Sequence, residues 1–277
     1  MGEFLIYGAN GYTGKLALQE ALRRGLRPIV AGRNREALAA LAAPHGLPVR
    51  AFDLADAGTV ASALNGVALV LHCAGPFSAT CAPMLEGCLA VGAHYLDITG
   101  EVDVFAHCHA QDARAKAKGI VVLPGSGFDV VPTDCVAAML KRELSDATEL
   151  VLAFEATGGP SPGTAKTSVE GLGQGGRVRR DGELVSGPLA WKSRSFDRDG
   201  QPRTAMTIPW GDVYTAWVST GIPNIETYII ASGRLPMLLK ASRFVTPLLR
   251  LAAVQQFLAA RIDAMPEMKS RTVILSA

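Results

Sequence analysis

The first half of the chain alternates short apolar runs with segments of helical spacing. Runs at 4–7, 28–31, 49–52, 68–73, 94–98 and 120–123 read as strands. The run at 68–73 is almost continuously apolar, as suits a strand covered on both faces. Helical periodicity fills 12–24, 35–43, 57–64, a stretch from about Cys81, and 102–118. Gly25, Pro44, Asn65-Gly66 and Gly92 stand where those helices should stop. Pro83 suits a first helical turn, where no intrahelical N–H partner is lost. Strands alternating with helices through short joints predict an α/β domain of the Rossmann type, with a doubly wound parallel sheet.

Near residue 145 the pattern changes. A helix over 135–144 and a strand over 149–156 are followed by a Gly, Ser and Thr-rich stretch from 158 to 176. Short strand candidates then turn at Asp181-Gly182 and Asp199-Gly200. Residues 272–275 read as a strand that stops almost as it starts, and no internal repeat is visible. The expected organisation is a Rossmann domain over 1–145 and an α+β domain over 146–277.

Composition narrows the classes. With 277 residues, 49% of them apolar, the chain can bury one large core or two modest ones. A net charge of +2 gives no electrostatic case for nucleic acid. The start, Met1-Gly2-Glu3-Phe4, runs into a strand-like stretch without the basic region or small-residue cleavage site expected of a secretory signal, and Ile6 stands where a myristoylation motif wants Ser or Thr. No run is long and charge-free enough to span a bilayer. Five cysteines, an odd number, point to reduced thiols and a cytoplasmic location. Cys81 and Cys88, on one helix, stand roughly 10 Å apart along its axis, beyond disulfide reach.

The strongest local signal is Gly8-Ala9-Asn10-Gly11-Tyr12-Thr13-Gly14, which follows a strand and opens a helix. Glycine allows the tight turn, the backbone can approach a diphosphate, and the helix N-terminus offers unpaired N–H groups to the anion. The spacing is Gly-x-x-Gly-x-x-Gly rather than the commoner Gly-x-Gly-x-x-Gly. The alternative is a glycine-rich joint in some other α/β protein.

Cofactor choice turns on the second strand's end. An NAD-type domain places Asp or Glu there, about 20 residues beyond the loop. Here the stretch reads Ala31-Gly32-Arg33-Asn34-Arg35, with no carboxylate before Glu36. Arg33, beside Asn34, can form a forked pair with a 2′-phosphate, and Arg35 adds a second charge, so NADP(H) is the expected cofactor. The alternative makes both arginines solvated helix-start residues. Asp53, followed by Leu54, ends the third strand and faces the adenine or caps the next helix. Cys73-Ala74-Gly75-Pro76-Phe77 follows the fourth strand, where small residues let the backbone pass the diphosphate and nicotinamide ribose. Cys73 itself reads as a small buried residue rather than a nucleophile.

These motifs, with His94-Tyr95-Leu96-Asp97-Ile98-Thr99-Gly100-Glu101 and Gly125-Ser126-Gly127-Phe128-Asp129-Val130-Val131-Pro132-Thr133-Asp134, fall in an order that resembles the saccharopine dehydrogenase-like oxidoreductases. Ile208-Pro209-Trp210-Gly211-Asp212 and Ser219-Thr220-Gly221-Ile222-Pro223-Asn224 are similar to the bacterial branch that includes trans-acting enoyl reductases. The resemblance implies an NADP-type Rossmann domain joined to an α+β domain with a mixed sheet, which serves substrate binding or dimerisation. Such proteins continue further, so a second domain truncated or abridged at Ala277 is expected.

Candidates for proton transfer are Asp97, Glu101, Asp129 and Asp134, near strand ends or helix starts, with Tyr95 behind them. Helix capping and loop anchoring are the competing roles for each carboxylate. No Tyr-x-x-x-Lys pair of the short-chain dehydrogenase type follows the fourth strand. His107-Cys108-His109 are consecutive on a helix, about 100° apart, and His72-Cys73 alternate across a strand, so no metal is expected.

Between Glu226 and Asp263 the chain has no acidic residue but carries Arg234, Lys240, Arg243, Arg250 and Arg261 among apolar residues. A helix pair broken near Pro236 and Pro247, packed on its own core or a dimer partner, is favoured over a membrane-surface helix. The expectation is an NADP(H)-dependent oxidoreductase acting on a small or lipid-like carbonyl or enoyl substrate. The alternative is a non-catalytic nucleotide-binding or scaffold protein.

Overall fold

A computed structural model describes residues 3–157 and 175–230, isolated positions between 251 and 261, and the strand at 271–276. The basic apolar segment therefore lies largely outside the described residues. The chain divides into two compact units, Met1–Phe128 and Asp129–Ala277.

The first unit holds strands β1 (Glu3–Tyr7), β2 (Ile29–Gly32), β3 (Val49–Ala51), β4 (Val67–His72), β5 (His94–Asp97) and β6 (Val122–Leu123). They form one parallel sheet in the order β3-β2-β1-β4-β5-β6. Helices α1 (Tyr12–Arg23), α2 (Arg35–Ala42), α3 (Ala57–Ala63), α4 (Phe77–Val91), α5 (Val102–Ala110) and α6 (Asp112–Lys118) connect them. Strand alternation explains why both sheet faces are covered. Leu5 and Tyr7 of β1 enter a core with Val60, Met84, Leu85 and Cys88 of α3 and α4. Ile6, between them, enters a second core with Leu18 of α1 and Leu38 of α2. This is the doubly wound α/β architecture that the pattern predicts.

Helix α4 departs from expectation. It starts at Phe77 rather than near Cys81, so Pro83 lies inside it. A proline within a helix costs about 3 kcal/mol. The helix buries Phe77, Cys81, Met84, Leu85, Cys88 and Leu89, and each large apolar side chain returns roughly 1.5–3 kcal/mol. Burial outweighs the break. Gly92 closes the helix at φ 78°, in the left-handed region. The expected single helix over 102–118 is two, parted at Gln111.

The second unit holds α7 (Val131–Glu143), β7 (Glu149–Thr157), β8 (Gly176–Arg180), β9 (Glu183–Gly187), β10 (Ser193–Arg198), β11 (Gln201–Thr207), α8 (Asp212–Thr220), β12 (Asn224–Ile230) and β13 (Arg271–Ser276). Its sheet runs β10-β11-β12-β7-β13, with β8 pairing β12 and β9. The sheet is mixed: β12 and β7 are parallel, and β13 lies antiparallel to β7 along six residue pairs. Residues 271–276 thus form a full edge strand rather than an aborted one. Both Asp-Gly turns are two-residue hairpin loops with positive φ at each position, 48° and 82° at Asp181-Gly182 and 54° and 75° at Asp199-Gly200. Helix α7 packs its Ala137 with Leu150, Leu152, Ala216 and Ile225 of this unit. The compact units part at 128/129, so α7 falls in the second. Among the described residues no helix is long and apolar enough to cross a membrane.

Candidate dinucleotide site

Strand order reverses between β1 and β4, and the crevice at their carboxyl ends is where an open α/β sheet takes ligands. Loop 8–11 enters that crevice from β1. Gly8 and Ala9 both donate to the Ala31 carbonyl, at 2.8 and 3.2 Å, which ties the loop to β2. Gly8 takes φ +79°, and a methyl there would stand 2.9 Å from the Ala74 Cβ. A methyl at Gly14 would stand 2.2 Å from the Gly8 carbonyl oxygen. Two glycines therefore let three backbone stretches meet: the loop, the start of α1 and the turn after β4. The N-cap of α1, Gly11, offers no side chain to the helix's first N–H groups. Those groups are left for an anion. The exposed Tyr12 and partly buried Thr13 follow, and Asn10 places its Oδ1 beside Gly32.

The ends of β1, β2 and β3 bring further residues together. Tyr7 donates to the Phe52 carbonyl at 3.1 Å. Burial, then the nearby Asp53 carboxylate, push its pKa up to about 12, while Arg33 opposes them. Arg33 and Asp53 thus act on one hydroxyl from neighbouring strand ends, and both are exposed. Asn34 accepts from the Ala37 N–H at 3.0 Å and caps α2. Asp53 is not a helix cap. It accepts from Ala55 N–H at 2.8 Å, and Asp56 caps α3 through Thr59. Leu54, like Ala74, packs against the core. Past β4, Cys73 donates its N–H to the Tyr7 carbonyl at 2.8 Å. Burial pushes its thiol up to about 12, so it is no ready nucleophile. The exposed Gly75 and partly buried Pro76 complete the turn, joined by a cis peptide bond. A glycine-lined loop, a bare helix N-terminus and a guanidinium at the end of β2 fit a phosphorylated dinucleotide.

Residues 4–123 match the family described as the saccharopine dehydrogenase NADP binding domain. Over that stretch the chain is similar to NADP-binding domains of the saccharopine dehydrogenase family. A saccharopine dehydrogenase-like oxidoreductase of Rattus norvegicus is 25% identical over 206 residues, 64% of this chain and 48% of its own. A Mycobacterium tuberculosis protein named "Putative trans-acting enoyl reductase" is 29% identical over 192 residues, 61% of this chain and 44% of its own. The chain spans about half the length of these curated relatives. Apo saccharopine dehydrogenase (L-Glu forming) from Saccharomyces cerevisiae shares the fold, with a TM-score of 0.64 at 13% identity over 96% of this chain and 68% of that one.

Within the first unit, the candidate carboxylates are engaged in holding backbone. Asp97 is fully buried. It accepts from Tyr95 Oη at 2.6 Å, Thr99 N–H at 3.0 Å and Gly125 N–H at 2.7 Å, pinning the loop after β6 to the end of β5. Burial raises its pKa, and those three donors oppose the rise. Tyr95 is likewise core, not a solvent-facing donor. Glu101 accepts from the Phe77 and Ser78 N–H groups at 2.9 and 2.7 Å. It caps α4, which is why that helix begins a turn early. For both residues the anchoring role describes the geometry.

Sequence reasoning missed His72. It lies fully buried between the rings of Tyr7, Phe77 and Tyr95, at 5.5, 5.3 and 6.2 Å. Neither ring nitrogen has a hydrogen-bond partner among the described residues. Burial pushes its pKa down to about 3, against a smaller opposing effect of the Thr80 backbone.

In the second unit, Asp129 is partly buried and burial raises its pKa. Its carbonyl accepts from Trp210 Nε1 at 2.7 Å. Asp134, in the first turn of α7, accepts from Ser219 Oγ at 2.7 Å. A residue outside the candidate set stands beside them. Asp212 is fully buried, and neither carboxylate oxygen has a hydrogen-bond partner among the described residues. The Thr133 hydroxyl beside it donates instead to the Val130 carbonyl at 3.0 Å. Burial, reinforced by Asp134 and Asp129 and opposed by Thr133, pushes Asp212 up to about 7. No local pattern marks it, since burial of position 212 depends on how α7 and α8 pack.

Proposed function

We propose that the protein is an NADP(H)-dependent oxidoreductase that reduces a small or lipid-like carbonyl or enoyl substrate. The observation that carries this reading is the uncapped start of α1 facing the crevice between β1 and β4, with Arg33 at the end of β2. The first N–H groups of α1 hold the diphosphate, and Gly8, Gly11 and Gly14 keep side chains out of its path. Arg33 and the adjacent Asn34 take the 2′-phosphate, while Asp53 and Leu54 line the adenosine. The backbone from Cys73 through Ala74 and Gly75 to Pro76 runs along the nicotinamide ribose. The partly buried, neutral Cys73 thiol keeps that wall uncharged. The bound nucleotide supplies the hydride. The enoyl class rests on the name of the M. tuberculosis relative. The same reading places the protein in the cytoplasm, in keeping with its free thiols.

One observation favours a second reading, a nucleotide-holding protein without turnover. Asp97 and Glu101 are both occupied by backbone donors. NADPH consumption across a panel of carbonyl and enoyl compounds separates the two. Substrate-dependent consumption supports the reductase, tight NADPH binding with a blank panel supports the second reading, and failure to bind NADPH overturns both.

A further inference from the structure

The sulfurs of Cys81 on α4 and Cys108 on α5 lie 3.5 Å apart in the core of the first unit. Both side chains are buried, at 2% and 3% exposure. The Asp97 carboxylate is close by, within 4.8 Å of both sulfurs. Its oxygens already accept from Tyr95, Thr99 and Gly125, so the trio is a poor metal cage. What stands free to react is the thiol pair. A disulfide has an S–S length of about 2.05 Å. The sulfurs need to close by roughly 1.5 Å, within reach of side-chain rotation on two packed helices.

We propose that Cys81 and Cys108 form a redox-modifiable dithiol that hydrogen peroxide converts, reversibly, to a disulfide joining α4 to α5. The Cys81 thiolate attacks a peroxide oxygen, the O–O bond breaks, and a sulfenic acid forms with release of water. Cys108 sulfur then attacks the Cys81 sulfur, the S–O bond breaks, and a second water leaves with the thiol proton. Two thiols lose two electrons and two protons, and one peroxide is reduced to two waters. Cys81 is the better first nucleophile, because the hydrogen bond shared with Cys108 lowers its pKa against the effect of burial. Hydrogen peroxide is small enough to reach the pair through local opening of the helices, where a bulky disulfide reagent is excluded. Among the described residues Cys73, Cys88 and Cys135 make no such sulfur–sulfur contact. The bond would close a loop absent from the reduced unfolded chain, and so raise the unfolding temperature.

The test is stepwise hydrogen peroxide treatment of the full chain, alkylation of remaining thiols, digestion and mass spectrometry. The expected product is a Cys81–Cys108 linked peptide two hydrogens lighter than the reduced pair. It should disappear with dithiothreitol and be absent from Cys108→Ser. The oxidised wild type should melt higher than the reduced protein. Recovery of both residues as alkylated thiols, or as separate sulfinic acids, overturns the proposal. So does a stoichiometric metal that co-purifies and shields both sulfurs. If Cys108→Ser does not fold, linkage mapping on the wild type alone decides the question.

Discussion

The carboxylate of Glu101 holds the Phe77 N–H at 2.9 Å across 24 positions of sequence. With the parallel bond to Ser78 at 2.7 Å, it satisfies two N–H groups that the first turn of α4 would leave open. Loss of a helix cap costs about 0.5–2 kcal/mol, and a charged acceptor lies toward the upper end. Glu101→Ala should lower stability by about 1–2 kcal/mol in urea unfolding, and Glu101→Gln by less. A proton-transfer role would show the reverse, a fall in kcat with stability unchanged.

A methyl on Gly14 meets backbone, the Gly8 carbonyl oxygen at 2.2 Å and the Ala9 Cα at 2.8 Å, and backbone cannot rotate away. Gly14→Ala should cost about 1–3 kcal/mol of stability. It should also weaken NADPH binding at least about tenfold, which corresponds to about 1.4 kcal/mol. Gly58, inside α3, is the control, since a methyl there meets only Asp56 at 3.5 Å. Gly58→Ala should leave binding unchanged and stabilise the helix by up to about 1 kcal/mol. Fluorescence titration with paired melts reads both effects.

His72 sets an acid limit on the first unit. Its folded pKa of about 3 lies below the ordinary histidine value of 6.5. Between those values the unfolded chain binds the extra proton, so stability is fully present above pH 6.5 and falls as pH drops toward 3. At about 1.4 kcal/mol per pKa unit the loss reaches a few kcal/mol. His72→Phe should flatten that acid slope in unfolding followed from pH 7 to 4. An unchanged slope would mean that the imidazole is not buried neutral.

Asp212 works in the opposite direction in the second unit. Its folded pKa of about 7 lies above the ordinary aspartate value of 3.8. The folded state keeps the proton longer, so this contribution is present below about pH 4 and is lost as pH rises through 7. Asp212→Asn, which removes the buried charge, should raise stability relative to wild type at pH 8 more than at pH 5. Equal shifts at both pH values would refute burial of an ionisable group there.

What the sequence made legible was local. The glycine loop follows its strand directly, Gly92 stands next to the helix it closes, and each Asp-Gly pair makes its own hairpin. The unread features join distant positions. The start of α4 depends on Glu101, the engagement of Asp97 on Gly125, and the Cys81 contact on Cys108 from another helix. The break at Gln111 interrupts a run whose apolar spacing continues on both sides. Position 212 carries no local mark of burial, and only the packing of α7 against α8 leaves its carboxylate buried without a hydrogen-bond partner among the described residues.

The central claim is that Arg33, at the end of β2, selects the nucleotide by gripping its 2′-phosphate. Parallel titrations of wild type and Arg33→Ala with NADPH and NADH test it most directly. A charge-assisted pair is worth about 1.5–3 kcal/mol, so the variant should bind NADPH about 10–100-fold more weakly and NADH unchanged. Equal wild-type affinity for the two nucleotides, or an equal loss of both in the variant, would contradict the account.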